Sequence, residues 1–367
     1  MTSALNLCLD QQLEKVILRY VKYILLIFAV LAVSGELLRW PPILVFLFAA
    51  IGVVPMASFM GRGTEELAIY TGPKLGGLLN ATLGNAAELI IAIIAIREGL
   101  LTLVLASITG SILGNILLIL GLSFVLGGAK HGAQKFDRTQ AGVNATMLIL
   151  AVIALAIPSF FNFRIADVNQ EAVEYLSLST AAVMLIVYTL SIIFSFRATS
   201  TQEEMSEAHD HTPTWGRGLA IGVLVAATLA IAGLSEILVG AVEPVVEEFG
   251  ISEFFLGIIL IPLVGNVAEH VVSVQVAIKN KMDLSLAISI GSSLQIALFV
   301  TPVLVFVSLL LGNPLQLTFD QFEIVAMIGA ALIASLIALD GESNWLEGVQ
   351  LLAVYVIIAL AFFFLPT

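Results

Sequence analysis

The sequence predicts an all-α, polytopic membrane protein of about 11 transmembrane helices: two inverted five-helix repeats behind one extra N-terminal helix. Three observations lead there. The 367-residue chain is 59% hydrophobic and only 11% charged, and its long oily runs match membrane spans, each of which takes about 20 apolar residues. Within those runs one short polar phrase occurs twice, as Gly84-Asn85-Ala86-Ala87-Glu88 and Gly265-Asn266-Val267-Ala268-Glu269, at an offset of 181 residues (84 to 265). Finally, Lys and Arg collect on one side of the membrane once the spans are counted.

Hydropathy and helix breakers place the spans at residues 22–38, 41–60, 75–96, 100–126, 141–157, 172–196, 218–241, 254–278, 284–311, 322–339 and 346–365. The first has no small-residue cleavage pattern behind it and reads as a retained helix rather than a signal peptide. The 181-residue offset carries spans two to six onto spans seven to eleven. This divides the chain into a tail with the extra helix (1–39), a first repeat (40–197), an acidic inner-face linker (198–216) and a second repeat (217–367). Five spans per repeat is an odd number, so the second copy enters the membrane from the opposite side. With the N-terminus inside, Lys15, Arg19, Lys22, Arg62, Lys74, Lys130, Lys135, Arg138, Arg197, Arg217, Lys279 and Lys281 fall on the inner side, against only Arg39, Arg97 and Arg164 outside. That asymmetry is the one expected of a correct span count.

Composition also excludes function classes. A net charge of −12 argues against nucleic acid and suits a protein that handles cations. The single cysteine, Cys8, forms no internal disulfide. Paired-histidine metal motifs, GxGD patterns and nucleophile elbows are absent from the sequence, so an intramembrane enzyme is disfavoured and no cofactor is implied.

The repeat holds register without a gap to Leu113 and Leu294, and ten of the thirty aligned positions are identical, Gly110/Gly291 and Ser111/Ser292 among them. Each copy places a carboxylate where burial is costly, and an intramembrane acid marks a functional site. On a helix Asn85 and Glu88 share a face, as do Asn266 and Glu269; Ser111 with Asn115, and Ser292 with Gln295, add oxygens from the following spans. Hard oxygen donors suit Ca²⁺ and related divalent cations better than zinc or copper. Gly84 and Gly265 permit a break in mid-membrane, which would free backbone carbonyls of Ala81, Thr82, Pro262 and Leu263 as further ligands. Two close carboxylates in a dry site repel each other and hold protons until a divalent cation displaces them. Ca²⁺ and H⁺ then compete for the same oxygens, and alternating access turns competition into exchange. His270 and Glu236 are the proton partners or orienters on this reading. Glu236 has no repeat counterpart, since Pro55 stands at the matching position. The linker acids and histidines Glu203, Glu204, Glu207, His209, Asp210 and His211 form either a solvated connector or an ion-collecting, regulatory segment.

Thr64-Glu65-Glu66-Leu67-Ala68 followed by Gly76-Gly77-Leu78-Leu79-Asn80-Ala81-Thr82-Leu83-Gly84-Asn85-Ala86-Ala87-Glu88 resembles the first signature of the Ca²⁺/cation–proton exchangers, the CAX branch of the calcium/cation antiporter superfamily. Pro262-Leu263-Val264-Gly265-Asn266-Val267-Ala268-Glu269-His270 and Gly291-Ser292-Ser293-Leu294-Gln295-Ile296-Ala297-Leu298 resemble its second. The resemblance implies the eleven-helix fold, Glu88 and Glu269 as central ligands alternating between Ca²⁺ and H⁺, and a regulatory or ion-collecting role for the linker. It also implies an integral membrane protein of a microbial plasma membrane or a vacuole, with homo-oligomer formation left open. A Na⁺/Ca²⁺ exchanger on the same scaffold is the alternative, and a cation channel a weaker one.

Overall fold

The computed structural model describes residues 23–165, 169–198 and 213–365; Cys8 and the linker residues Glu203 to His211 lie outside them. It is built almost wholly of helices. A short apolar helix, α1 (Tyr23–Leu37), precedes α2 (Pro42–Leu83), α3 (Ala86–Arg97), α4 (Leu101–His131), α5 (Arg138–Ile165) and α6 (Gln170–Ala198). After the linker come α7 (Arg217–Gly240), α8 (Val242–Phe249), α9 (Glu253–Gly265), α10 (Val267–Ile278), α11 (Met282–Leu311), α12 (Gln321–Asp340) and α13 (Trp345–Phe364). Among the described residues, eight helices are long and apolar enough to cross a membrane; counting α9 and α10, which meet at a bend of 64°, as one span makes nine.

Two expected boundaries move. The second span was expected to end at residue 60, where Arg62, Thr64, Glu65 and Glu66 begin. Instead α2 runs on to a kink at Gly72, whose φ of 79° and ψ of 171° leave the helical region. Polar residues do not stop a helix when each finds a partner. The Thr64 hydroxyl donates to the Met60 carbonyl at 2.9 Å, and Glu66 accepts from the backbone N–H groups of Thr214 (2.8 Å) and Trp215 (3.1 Å). Glycine supplies the break because it alone adopts that φ without strain. The fifth span, expected to stop before Pro158, continues to Ile165. Beside the proline, Ser159 ties this helix to the segment before α12: its hydroxyl donates to Leu317 O (3.1 Å) and accepts from Phe319 N (2.9 Å).

The helices sort by depth. α3 and α4 lie deepest, with Ile91, Ile96, Leu103, Ile112, Leu113 and Leu117 fully buried. The outer helices α5, α6, α7, α12 and α13 present Leu150, Leu190, Leu229, Val325 and Ile357 to the surroundings, as a lipid-facing surface requires. A two-stranded ribbon, β1 (Gln134–Lys135) against β2 (Glu342–Ser343), ties the loop after α4 to the loop before α13. One of these inward helices, α3, starts at the first copy of the duplicated phrase.

Candidate cation site

Both copies of the phrase break their helices in the same way. Asn85 has φ −97° and ψ 19°, and Asn266 has φ −102° and ψ 4°. Each break is followed at once by a new helix with its acid in the first turn, Glu88 in α3 and Glu269 in α10. That position suits a carboxylate, because the helix N-terminus carries unpaired N–H groups and the positive end of the macrodipole.

The breaks pack against each other crosswise. A Cβ added at Gly265 would sit 2.7 Å from Glu88 Cγ, and one added at Gly84 would sit 3.2 Å from Glu269 Oε1. Each acid therefore lies on the glycine of the opposite copy. Any larger residue at either glycine would push the carboxylates apart.

The first copy is sealed. Glu88 is buried, and its Oε1 accepts from the Ser111 hydroxyl and the Asn266 side-chain amide, whose nitrogen also lies 3.3 Å from Ser111 Oγ. The second copy is open. Glu269 and Ser292 share the wall of a 220 Å³ cleft with Asn80, Gly291 and Gln295. Asn85 turns away from Glu269: its amide donates to Gln295 Oε1 at 2.6 Å, and its Oδ1 accepts from the Ser292 hydroxyl at 3.3 Å. Asn115 joins the two sides, donating to Ser292 Oγ at 3.1 Å and accepting from His270 Nε2 at 3.2 Å. Among the described residues, Glu88 Oε2, Glu269 Oε2 and His270 Nδ1 are buried without a protein partner. Buried polar atoms are nearly always bonded, so two orphan carboxylate oxygens in one region make this the candidate site for a cation. No group of three or more His, Cys, Asp or Glu side chains gathers at one point among the described residues. A cation here would draw its other ligands from neutral oxygens.

Most of the expected polar set thus comes together: Glu88, Glu269, Asn85, Asn266, Ser111, Asn115, Ser292, Gln295 and His270. Two expectations change. The Pro262 carbonyl is not freed, because it accepts the Asn266 N–H at 3.1 Å across the break. Leu263 sits on an exposed part of the same short turn, while Ala81 and Thr82 sit in the turn before Gly84. Glu236 is not buried: it is half-exposed and paired with Arg97 at 3.0 Å, since the guanidinium lies at the α3 end beside α7. Sequence reasoning missed Asn80 on the cleft wall and the buried Glu323, which accepts from the Thr109 hydroxyl at 2.8 Å. Glu323 follows Asp320 by three residues and completes a capping box, so its sequence signal was that of a helix start.

The chain resembles known proteins over most of its length. The chain is 44% identical over 360 residues to a Ca²⁺/H⁺ antiporter of Aphanothece halophytica, covering 93% of this chain and 96% of that one. It is 38% identical over 348 residues to a vacuolar calcium ion transporter of Schizosaccharomyces pombe, covering 94% and 84%. The solved structure of native YfkE superposes with a TM-score of 0.83 at 42% identity, covering 94% of this chain and all of that one. Residues 41–197 and 219–364 match the family model described as sodium/calcium exchanger protein, and over that extent the chain belongs to the sodium/calcium exchanger protein family.

Proposed function

We propose that this chain is a secondary antiporter, not an enzyme, that exchanges Ca²⁺ for H⁺ by alternating access, with Glu88 and Glu269 alternately protonated and metal-bound. The observation that carries the reading is the crosswise seating of each acid on the opposite glycine, each with one oxygen unpartnered. Two carboxyl groups so placed hold protons when no metal is present and release them when a divalent cation neutralises both charges. Relatives named as Ca²⁺/H⁺ antiporters support the choice of ions. Other divalent cations with the same preference for oxygen fit the same donors.

Each repeat contributes five crossings on this reading: the stretch from Pro73 to Arg97 completes the first, the bent pair α9–α10 completes the second, and α1 is the eleventh crossing. The second repeat is inverted, and the N-terminus lies inside. The cleft runs along the first half of α11, which starts beside Lys279 and Lys281. Those lysines mark the inner side, so Glu269 faces the inner solution while Glu88 is closed off. The host is a plasma membrane of inner-membrane type, with a vacuolar membrane the alternative. The linker acids collect ions or regulate.

Purified protein in vesicles should take up Ca²⁺ when driven by a pH gradient in the absence of Na⁺. Uptake that appears only with a Na⁺ gradient would replace this reading by Na⁺/Ca²⁺ exchange, and single-channel currents would replace it by a channel.

A further inference from the structure

Helix α11 carries polar residues on two faces. One face lines the cleft through Gly291 and Gln295. The other holds Ser285 and Ser289, turned into the interface with α10 and α4. There the Ser273 hydroxyl lies 2.9 Å from Ser285 Oγ, 3.0 Å from Ser289 Oγ and 3.4 Å from Ser123 Oγ. All four serines are at most 1% exposed. Small hydroxyls between membrane helices are often only packing glue. What lies at each end of this cluster argues for more.

Toward the inner end, Gln134 is 2% exposed. Its Nε2 donates to Ala277 O (3.0 Å) and Asn280 Oδ1 (2.9 Å), yet its Oε1 has no protein partner among the described residues. That oxygen points at α4: a Cβ on Gly127 would lie 2.1 Å from it, and Gly127 is one turn beyond Ser123. Toward the site, His270 stands one turn before Ser273 on α10 and is bonded through Asn115 to Ser292. Hydroxyl and amide groups are therefore spaced from the inner end of the bundle to the cation site, meeting the cleft only at Ser292.

We propose that protons pass between the inner face and the site along this stripe of Gln134, Ser123, Ser273, Ser285 and Ser289, while the cation uses the cleft on the other face of α11. A hydroxyl suits relay because it accepts a proton on one side while giving its own to the next oxygen. Each serine ends neutral, one H⁺ has moved, and His270 need not change charge. The stripe holds no carboxylate, so a divalent cation has nothing there to neutralise it. The inference rests on the exchange reading above.

Ser273→Ala/Ser289→Ala removes the central hydroxyls with little change in volume. Gly127→Ala leaves every serine in place and displaces Gln134. Each variant, reconstituted in vesicles, is assayed in two modes: Ca²⁺ uptake driven by a pH gradient, and Ca²⁺/Ca²⁺ counterflow, in which no net proton moves. Expected for both variants is a fall of about tenfold in pH-driven uptake with counterflow within about twofold of the parent, and a larger rate ratio between H₂O and D₂O. A parallel fall in both modes would mean packing glue, and no fall in either would mean that protons share the cleft; each result overturns the proposal. Should one variant fail to insert, the other carries the test. A parent protein with counterflow but no pH-driven uptake would instead break the exchange reading.

Discussion

Glu88 and Glu269 hold equivalent places in the repeated phrase, yet Glu88 is gripped by Ser111 and Asn266 while Glu269 lines the open cleft. The serines correspond across the repeat, Ser111 to Ser292, and the asparagines do too. Their amides part company. Asn266 reaches across to Glu88, but Asn85 does not reach across to Glu269, because Gln295 captures it. Position 295 corresponds to Gly114, which offers no side chain. Gln295 in place of Gly114 is therefore one difference in the duplicated pattern that sets the closed half-site apart from the open one. The lesson is that inverted repeats supply the ligands in pairs, while unpaired residues decide which half meets solvent.

The strongest attack on this comparison neutralises the acids one at a time. Glu88→Gln and Glu269→Gln should each abolish pH-driven Ca²⁺ uptake, because an amide neither gives up a proton nor balances a divalent charge. Both proteins should still insert and purify as the parent does, since each amide can hydrogen-bond where the acid did. Normal exchange by either variant would show that the two halves are not partners. Next comes Gly265→Ala. Its methyl would meet the Glu88 stem at 2.7 Å, and Glu88 has no free direction in which to yield. Overpacking of this kind costs about 1–3 kcal/mol. If it falls on the cation-bound state, apparent Ca²⁺ affinity drops about tenfold or more, measured by initial uptake against Ca²⁺ concentration.

Much of this was legible in the sequence because the phrase is duplicated. Identical residues at Gly84-Asn85 and Gly265-Asn266 gave two breaks of nearly the same backbone geometry, and the i, i+3 spacing put one Asn and one Glu at each break. The same spacing could not reveal the crosswise contact of each acid with the other copy's glycine, since the sequence carries no distances between repeats. Glu236 misled because it lies within an apolar run, and its partner Arg97 is 139 residues away. The span ending at residue 60 misled because Glu66 draws its hydrogen bonds from Thr214 and Trp215, beyond the linker. Local pattern fixes what a residue could bond to; tertiary placement decides whether it does.

Gln295→Ala tests the origin of the asymmetry. Removing the side chain frees the Asn85 amide to turn toward Glu269, as Asn266 already turns toward Glu88. A hydrogen bond to a charged group contributes about 1.5–3 kcal/mol, and here it would compete with the cation for the same oxygen. Inner-side Ca²⁺ affinity should fall roughly tenfold with maximal rate less affected. An unchanged affinity would mean that the orientation of Asn85 is incidental, and the open and closed halves would need another cause.

The smallest expected effect belongs to Glu236, and it bears on where the comparison stops. Glu236 and Arg97 are both about half-exposed and pair at 3.0 Å, and exposed pairs contribute little because water screens them. Arg97 keeps a second acid, Glu98 at 2.9 Å, so Glu236→Gln leaves the guanidinium paired. Uptake rate and its pH profile should stay within about twofold of the parent. A large loss, or a displaced pH profile, would draw Glu236 into the proton's path on the side away from the cleft. Glu88 would then be reached through that surface, and the sealed half-site would be sealed only toward the inner solution.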